Sequence, residues 1–181
     1  MKEIIEELKL SRELCEIYTD SDYTDKFFVG YILESDQEFF VCKAINAYGE
    51  YDGWICCLHD NIIRVQTGTN YLKNLLVLYN EKKDRGQELC LNPDDLLLQM
   101  LEYIKDNKRI CTIELCNSNM NDVIGFVSDI SQRGAILRVK MVDADGKADG
   151  ESRIDMNMVS CITTQSADER KLEFLFKLQS E

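Results

Sequence analysis

The sequence contains one proline, one histidine and one tryptophan in 181 residues. One proline and nine glycines, with no long polar run, give no segment the composition of a disordered chain. No segment approaches the roughly 18 apolar residues of a membrane helix. The first residues, Met1-Lys2-Glu3-Ile4-Ile5-Glu6-Glu7, are charged and hold no apolar signal core, so a soluble, cytoplasmic protein is expected. The cysteines stand at 15, 42, 56, 57, 90, 111, 116 and 161, without a Cys-x-x-Cys or the paired spacing of a zinc ribbon. Reduced thiols inside strand-like runs act as small hydrophobes. There is no phosphate-cradling glycine loop, serine nucleophile elbow or metal-binding helix motif. The common local signatures of an enzyme are thus missing, and neither a cofactor nor a metal is expected.

Basic residues are also in short supply. The net charge is −12, and both halves of the chain are acidic. Phosphate backbones recruit stripes of Lys and Arg, so this balance disfavours RNA or DNA as partners. The one basic cluster, Lys82-Lys83-Asp84-Arg85 before Gly86, is accounted for by the last turn and glycine cap of a helix.

What is present is a stretch that occurs twice. The first copy runs from about Phe27 to Tyr79 and the second from about Val123 to Phe176. Each has a glycine inside an apolar run, Gly30 and Gly125, then a long apolar strand and a Gly-x-x-Asp-Gly turn, Gly49 to Gly53 and Gly146 to Gly150. From the turn onward Gly49/Gly146, Val65/Ile162, Thr67/Thr164, Leu75/Leu172 and Tyr79/Phe176 are all 97 positions apart. Such a repeat describes architecture, not a reaction.

Taken in order, Met1 to Leu10 reads as a short amphipathic helix, followed by strands over 12–18, 26–33, 39–45, 54–58 and 62–65. Glycine within the second strand marks a bend or the close approach of another backbone. Thr69 caps a helix in which Tyr71, Leu75 and Tyr79 stack at four-residue spacing, beside Leu72 and Leu76. In the second copy Asn92-Pro93-Asp94-Asp95 reads as a helix start, and strands follow over 109–116, 122–130 and 135–142. Two short strands come next, around Ile154 and over 159–163. Ser166-Ala167-Asp168-Glu169 has the form of a capping box opening the last helix. The expected fold is mainly β with flanking helices: two tandem five-stranded antiparallel small barrels, residues 1–86 and 87–181, each with N- and C-terminal helices.

Gly30-Tyr31-Ile32, with Asp36 six residues after the glycine, and the later run Asp60-Asn61-Ile62-Ile63-Arg64-Val65 carry a family likeness. Over about 50 residues per copy, the chain resembles the Sm/LSm family of small barrels, in which a helix precedes five strands. The resemblance implies an Sm-like barrel and interaction rather than catalysis. The family's RNA-reading positions fall on Phe40 and Leu58-His59 in the first copy and on Ser131, Ala135 and Asp155-Met156 in the second, which do not match its pattern.

Several constellations have a chemical reading beside a structural one. Cys56, Cys57, His59 and Asp60 form a possible nucleophile–base or metal cluster, or a strand–turn–strand junction with the histidine at its tip. Asp143 to Glu151 is rich enough in carboxylates to resemble a calcium loop. The first copy has Tyr48-Gly49-Glu50-Tyr51-Asp52-Gly53 there, and a Gly/Asp hairpin turn explains both. Asp20, Asp22 and Asp25 read as a polar loop. Tyr48, Tyr51 and Trp54, with His59, make a candidate interaction surface, since aromatics anchor protein partners and stack bases. The expectation is a non-enzymatic interaction module binding protein or itself; the alternative is RNA binding through a divergent Sm-like surface.

Overall fold

The computed structural model describes residues 1–20, 25–82, 85–86, 88–116, 122–131 and 135–180. Asp22 and Tyr23 of the expected polar loop, and Lys83 and Asp84 of the basic cluster, lie outside the described residues. The chain divides into two compact units, Met1–Leu96 and Leu97–Glu181.

The first unit opens with α1 (Lys2–Ser11), which buries Ile5 and Leu8 and leaves its glutamates outside. The helix ends where Arg12 turns left-handed and its N–H bonds the Leu8 carbonyl at 2.9 Å. Then come β1 (Cys15–Tyr18), β2 (Phe28–Ser35), β3 (Phe39–Ile45), β4 (Tyr51–Leu58), a 3₁₀ turn (His59–Asn61), β5 (Arg64–Thr67) and α2 (Asn70–Glu81). The second unit repeats the plan with α3 (Leu96–Asp106), β6 (Ile110–Leu115), β7 (Val123–Ile130), β8 (Ile136–Val142), β9 (Ala148–Asp155), a 3₁₀ turn (Met156–Met158), β10 (Val159–Thr164) and α4 (Ala167–Ser180).

The two closed five-stranded barrels expected from the sequence do not form. Strand order is β5-β1-β2-β3-β4 in the first unit and β10-β6-β7-β8-β9 in the second. The fourth and fifth strands therefore stand at opposite ends of each unit's order and do not pair, whereas a barrel needs that closing ladder. The fold is an open antiparallel sheet arrangement with four helices. The cause lies in the delivery of β5. Beyond the 3₁₀ turn, the Ile63 N–H bonds the Tyr18 carbonyl at 2.9 Å, and all four residues of β5 then pair with β1, from Tyr18↔Arg64 to Cys15↔Thr67.

The strand glycines mark close approach. Opposite Gly30 on β3, and opposite Gly125 on β8, a Cβ would run into the carbonyl of Lys43 or Lys140. The hairpin turns are built alike: Asn46 Oδ1 accepts from the N–H groups of Tyr48 and Glu50, and Asp143 Oδ1 from those of Asp145 and Lys147. The turns are shorter than expected. β4 already begins at Tyr51 and β9 at Ala148, so Gly53 and Gly150 sit inside strands, with φ of 86° and 84°, where register shifts mark bulges.

Packing follows the helical spacing in part. Leu72, Leu75 and Tyr79 of α2 form a core with Leu14, Val29 and Ile45, while Tyr71 and Leu76, expected on the same side, are exposed. Thr69 Oγ1 caps α2, accepting from the Leu72 N–H at 3.2 Å. The helix stops at Glu81, so Lys82 and Arg85 lie beyond its last turn. Lys82 bridges to Glu50 at 2.9 Å, and the Arg85 guanidinium covers the Tyr79 ring at 4.1 Å. α3 begins four residues after Asn92. Asp95 is left-handed, and the Leu96 N–H is held by Asp36 Oδ2 at 2.7 Å, so a carboxylate from the β2–β3 turn replaces the local cap. At α4 the capping box is reciprocal: Ser166 Oγ accepts from Asp168 and Glu169, and the Ser166 N–H donates to Glu169 Oε2 at 2.8 Å.

Candidate functional site

The site begins with a row across three strands. Tyr31 on β2 pairs with Lys43 on β3, which pairs with Trp54 on β4, so the three side chains share one face. Lys43 Nζ lies 5.6 Å from the Trp54 ring and 5.5 Å from that of Tyr51. Tyr51 meets Trp54 edge-on at 5.7 Å. Gly86 lies against Tyr51, where a Cβ would come within 2.6 Å of the ring.

Trp54 is 1% exposed and Tyr51 8%. A buried indole N–H ordinarily finds an acceptor, yet Trp54 Nε1 has none among the described residues. The same side chain lines a cavity of about 630 Å³. Tyr31, Lys43 and Glu34 line it from the sheet, Lys9 and Arg12 from the end of α1, and residues 88–90 from the connecting segment. Lys9 bridges Glu34 at 2.5 Å and Glu6 at 3.2 Å. Lys43 and Arg12 make no ion pair among the described residues.

The four residues singled out in the sequence do not share one exposed face. Tyr51 and Trp54 touch inside the unit, while Tyr48 is 73% exposed on the preceding turn. His59 starts the 3₁₀ turn after β4, where it is 6% exposed. Its Nε2 lies 3.3 Å from Ser35 Oγ and its ring 5.6 Å from Phe40. Burial pushes its pKa below the ordinary imidazole value, against the opposing pull of Asp36. A nucleophile–base pair is not assembled. The hydrogen bond to Cys57 Sγ comes from Asn61 Nδ2, at 3.8 Å, and Asp60 is exposed.

All eight cysteines are free thiols. Burial raises the pKa of Cys15 to about 12 and lifts those of Cys42 and Cys56 well above the usual thiol value, so these act as neutral hydrophobes. Asp143 is occupied in its own turn. Among the described residues no three His, Cys, Asp or Glu side chains are grouped to hold a metal, and no helix is long and apolar enough to cross a membrane.

Two features escaped the sequence reading. One is the role of Lys43 and Tyr31, whose only signal is strand alternation opposite Trp54. The other is which strand carries an open edge: among the described residues β8 is the only sheet neighbour of β9. The Met156 N–H bonds the Ala135 carbonyl at 3.0 Å. By alternation along an antiparallel pair, Ile154 and Ser152 also turn their N–H groups toward β8, while those of Glu151, Arg153 and Asp155 point off the edge. No family model, curated protein or solved structure matches the chain.

Proposed function

We propose that the protein is a non-enzymatic interaction module, made of two open units akin to the Sm-like family, that binds a protein partner or a second copy by strand addition. The observation that carries this reading is the free edge of β9, an eight-residue strand paired on one side only among the described residues. Unpaired backbone donors and acceptors at such an edge are a ready template for another strand. The family kinship is supported by a helix followed by five strands, by Gly30 on β2 with Asp36 in the next turn, and by Asp60-Asn61-Ile62 leading into β5.

The test is capture of partner, and self-association by light scattering, for the native chain and for Arg153→Pro and Arg153→Ala. Proline at an outward-facing N–H blocks an added strand without removing a ladder bond. Loss of assembly in Arg153→Pro alone is expected, and retention in both variants overturns the reading. Absorbance at 260 and 280 nm before and after ribonuclease separates the RNA alternative: a nuclease-sensitive peak rich in 260 nm absorbance favours it.

A further inference from the structure

We propose that the cavity beneath Trp54 is a binding site for a small planar anion, an aromatic ring carrying a carboxylate or a phosphate. This is independent of the strand-edge reading, because every residue lining the cavity belongs to the first unit and β9 belongs to the second. Its free polar groups are donors. Trp54 Nε1 is buried without an acceptor, and Lys43 and Arg12 make no ion pair among the described residues. Indole, ammonium and guanidinium groups donate and do not accept, so the missing counterpart is acceptor-rich. Of the two carboxylates on the lining, Glu34 is engaged by Lys9, so the remaining charged side chains are Lys43, Arg12 and Glu88, the last two exposed. Lys43, half-buried beside Trp54, is therefore the cation an anion meets inside the cavity, although the chain carries −12. Half-buried Tyr31 supplies a ring surface on which a planar group packs, while Trp54, 1% exposed, contributes its edge. The volume, about 630 Å³, suits a small molecule rather than an ion alone.

The second unit is an internal control. Its matching row is Phe126, Lys140 and Glu151, so a carboxylate stands opposite the lysine where the first unit has the indole. The proposal therefore applies to the first unit only.

One tryptophan gives one indole N–H resonance, and in the ¹⁵N-labelled full chain that signal reads the proposed donor directly. The probes are 2-naphthoate, 2-naphthyl phosphate and the neutral 2-naphthamide. The expected result is a saturable shift of the Trp54 indole signal with at least one anion. Binding should be about tenfold weaker or more for the amide, and for the naphthoate or phosphate with Lys43→Met. Whichever anion binds more tightly identifies the headgroup. No saturable shift with either anion, equal binding of the amide, or unchanged binding by a folded Lys43→Met overturns the proposal. Should Lys43→Met fail to fold, Arg12→Gln at the exposed helix end decides: weaker anion binding supports the site, and unchanged binding overturns it.

Discussion

β4 and β9 occupy the same place in their units and have opposite environments. Tyr51–Leu58 buries six of its eight residues, whereas Ala148–Asp155 exposes six of eight. Both carry the same bulge glycine, Gly53 or Gly150, and both follow the same hairpin turn, closed by four equivalent hydrogen bonds around Asn46 or Asp143. The backbone plan is therefore indifferent to what the strand carries. Tyr51, Trp54, Cys56 and Cys57 make β4 a buried strand, and Glu151, Arg153 and Asp155 make β9 a wet one. One repeat thus carries two different environments: an enclosed aromatic cluster in the first unit and a solvent-facing strand in the second.

The largest effect that should expose this asymmetry is Trp54→Ala against Glu151→Ala. Losing a fully buried indole costs about 3–5 kcal/mol, while trimming an exposed glutamate changes stability by about 0.5 kcal/mol or less. Urea unfolding followed by far-UV circular dichroism measures both, and equal costs would erase the contrast. Gly30→Ala and Gly125→Ala probe what the units share. Each new methyl meets a backbone carbonyl that cannot rotate away, so each should lose about 1–3 kcal/mol or more. A cost in one unit alone would show that the close approach is not a common device.

A smaller effect concerns pH. His59 and Met156 are equivalent buried residues at the start of the two 3₁₀ turns. Burial holds His59 below its ordinary value of 6.5, so the unfolded chain takes up the proton first. The stability associated with neutral His59 is complete above about pH 6.5 and is lost as pH falls through the lower folded-state value. His59→Met should flatten unfolding midpoints across that window. Glu6, whose pKa is lowered from 4.5, contributes its own loss only at more acid pH. An unchanged pH slope in His59→Met would assign it to other groups. The smallest effect is chemical. Cys90 is exposed, while Cys15, Cys42, Cys56, Cys57, Cys111 and Cys161 are buried, so mild alkylation followed by peptide mass analysis should label Cys90 first. Fast labelling of Cys56 or Cys57 would show that β4 opens.

Much of the chain was legible locally. Gly30 and Gly125 announced a close backbone approach because no side chain fits there, and Ser166 with Glu169 announced a helix start because the two can satisfy each other's N–H groups. Thr69 was readable for the same reason. The start of α3 was not, since its first N–H is held by Asp36, 60 residues earlier in the chain. The end of α2 was misread because a basic cluster looks the same within a last helical turn and just beyond one. At the candidate site, the aromatic residues of β4 were visible, but exposure was not. An alternating strand records which residues share a face, and leaves open whether that face meets water or a core.

The sequence by itself determined the duplication, the order of helices and strands, and the glycines and caps that shape their ends, because these depend on spacing of a few residues and on the steric limits of single residues. Only the tertiary structure decided that the sheets stay open, that Trp54 is enclosed beside Lys43, and that β9 keeps a free edge. Those outcomes depend on which distant strands share hydrogen bonds. A backbone N–H and carbonyl are the same in every non-proline residue, so no residue's identity names its partner strand.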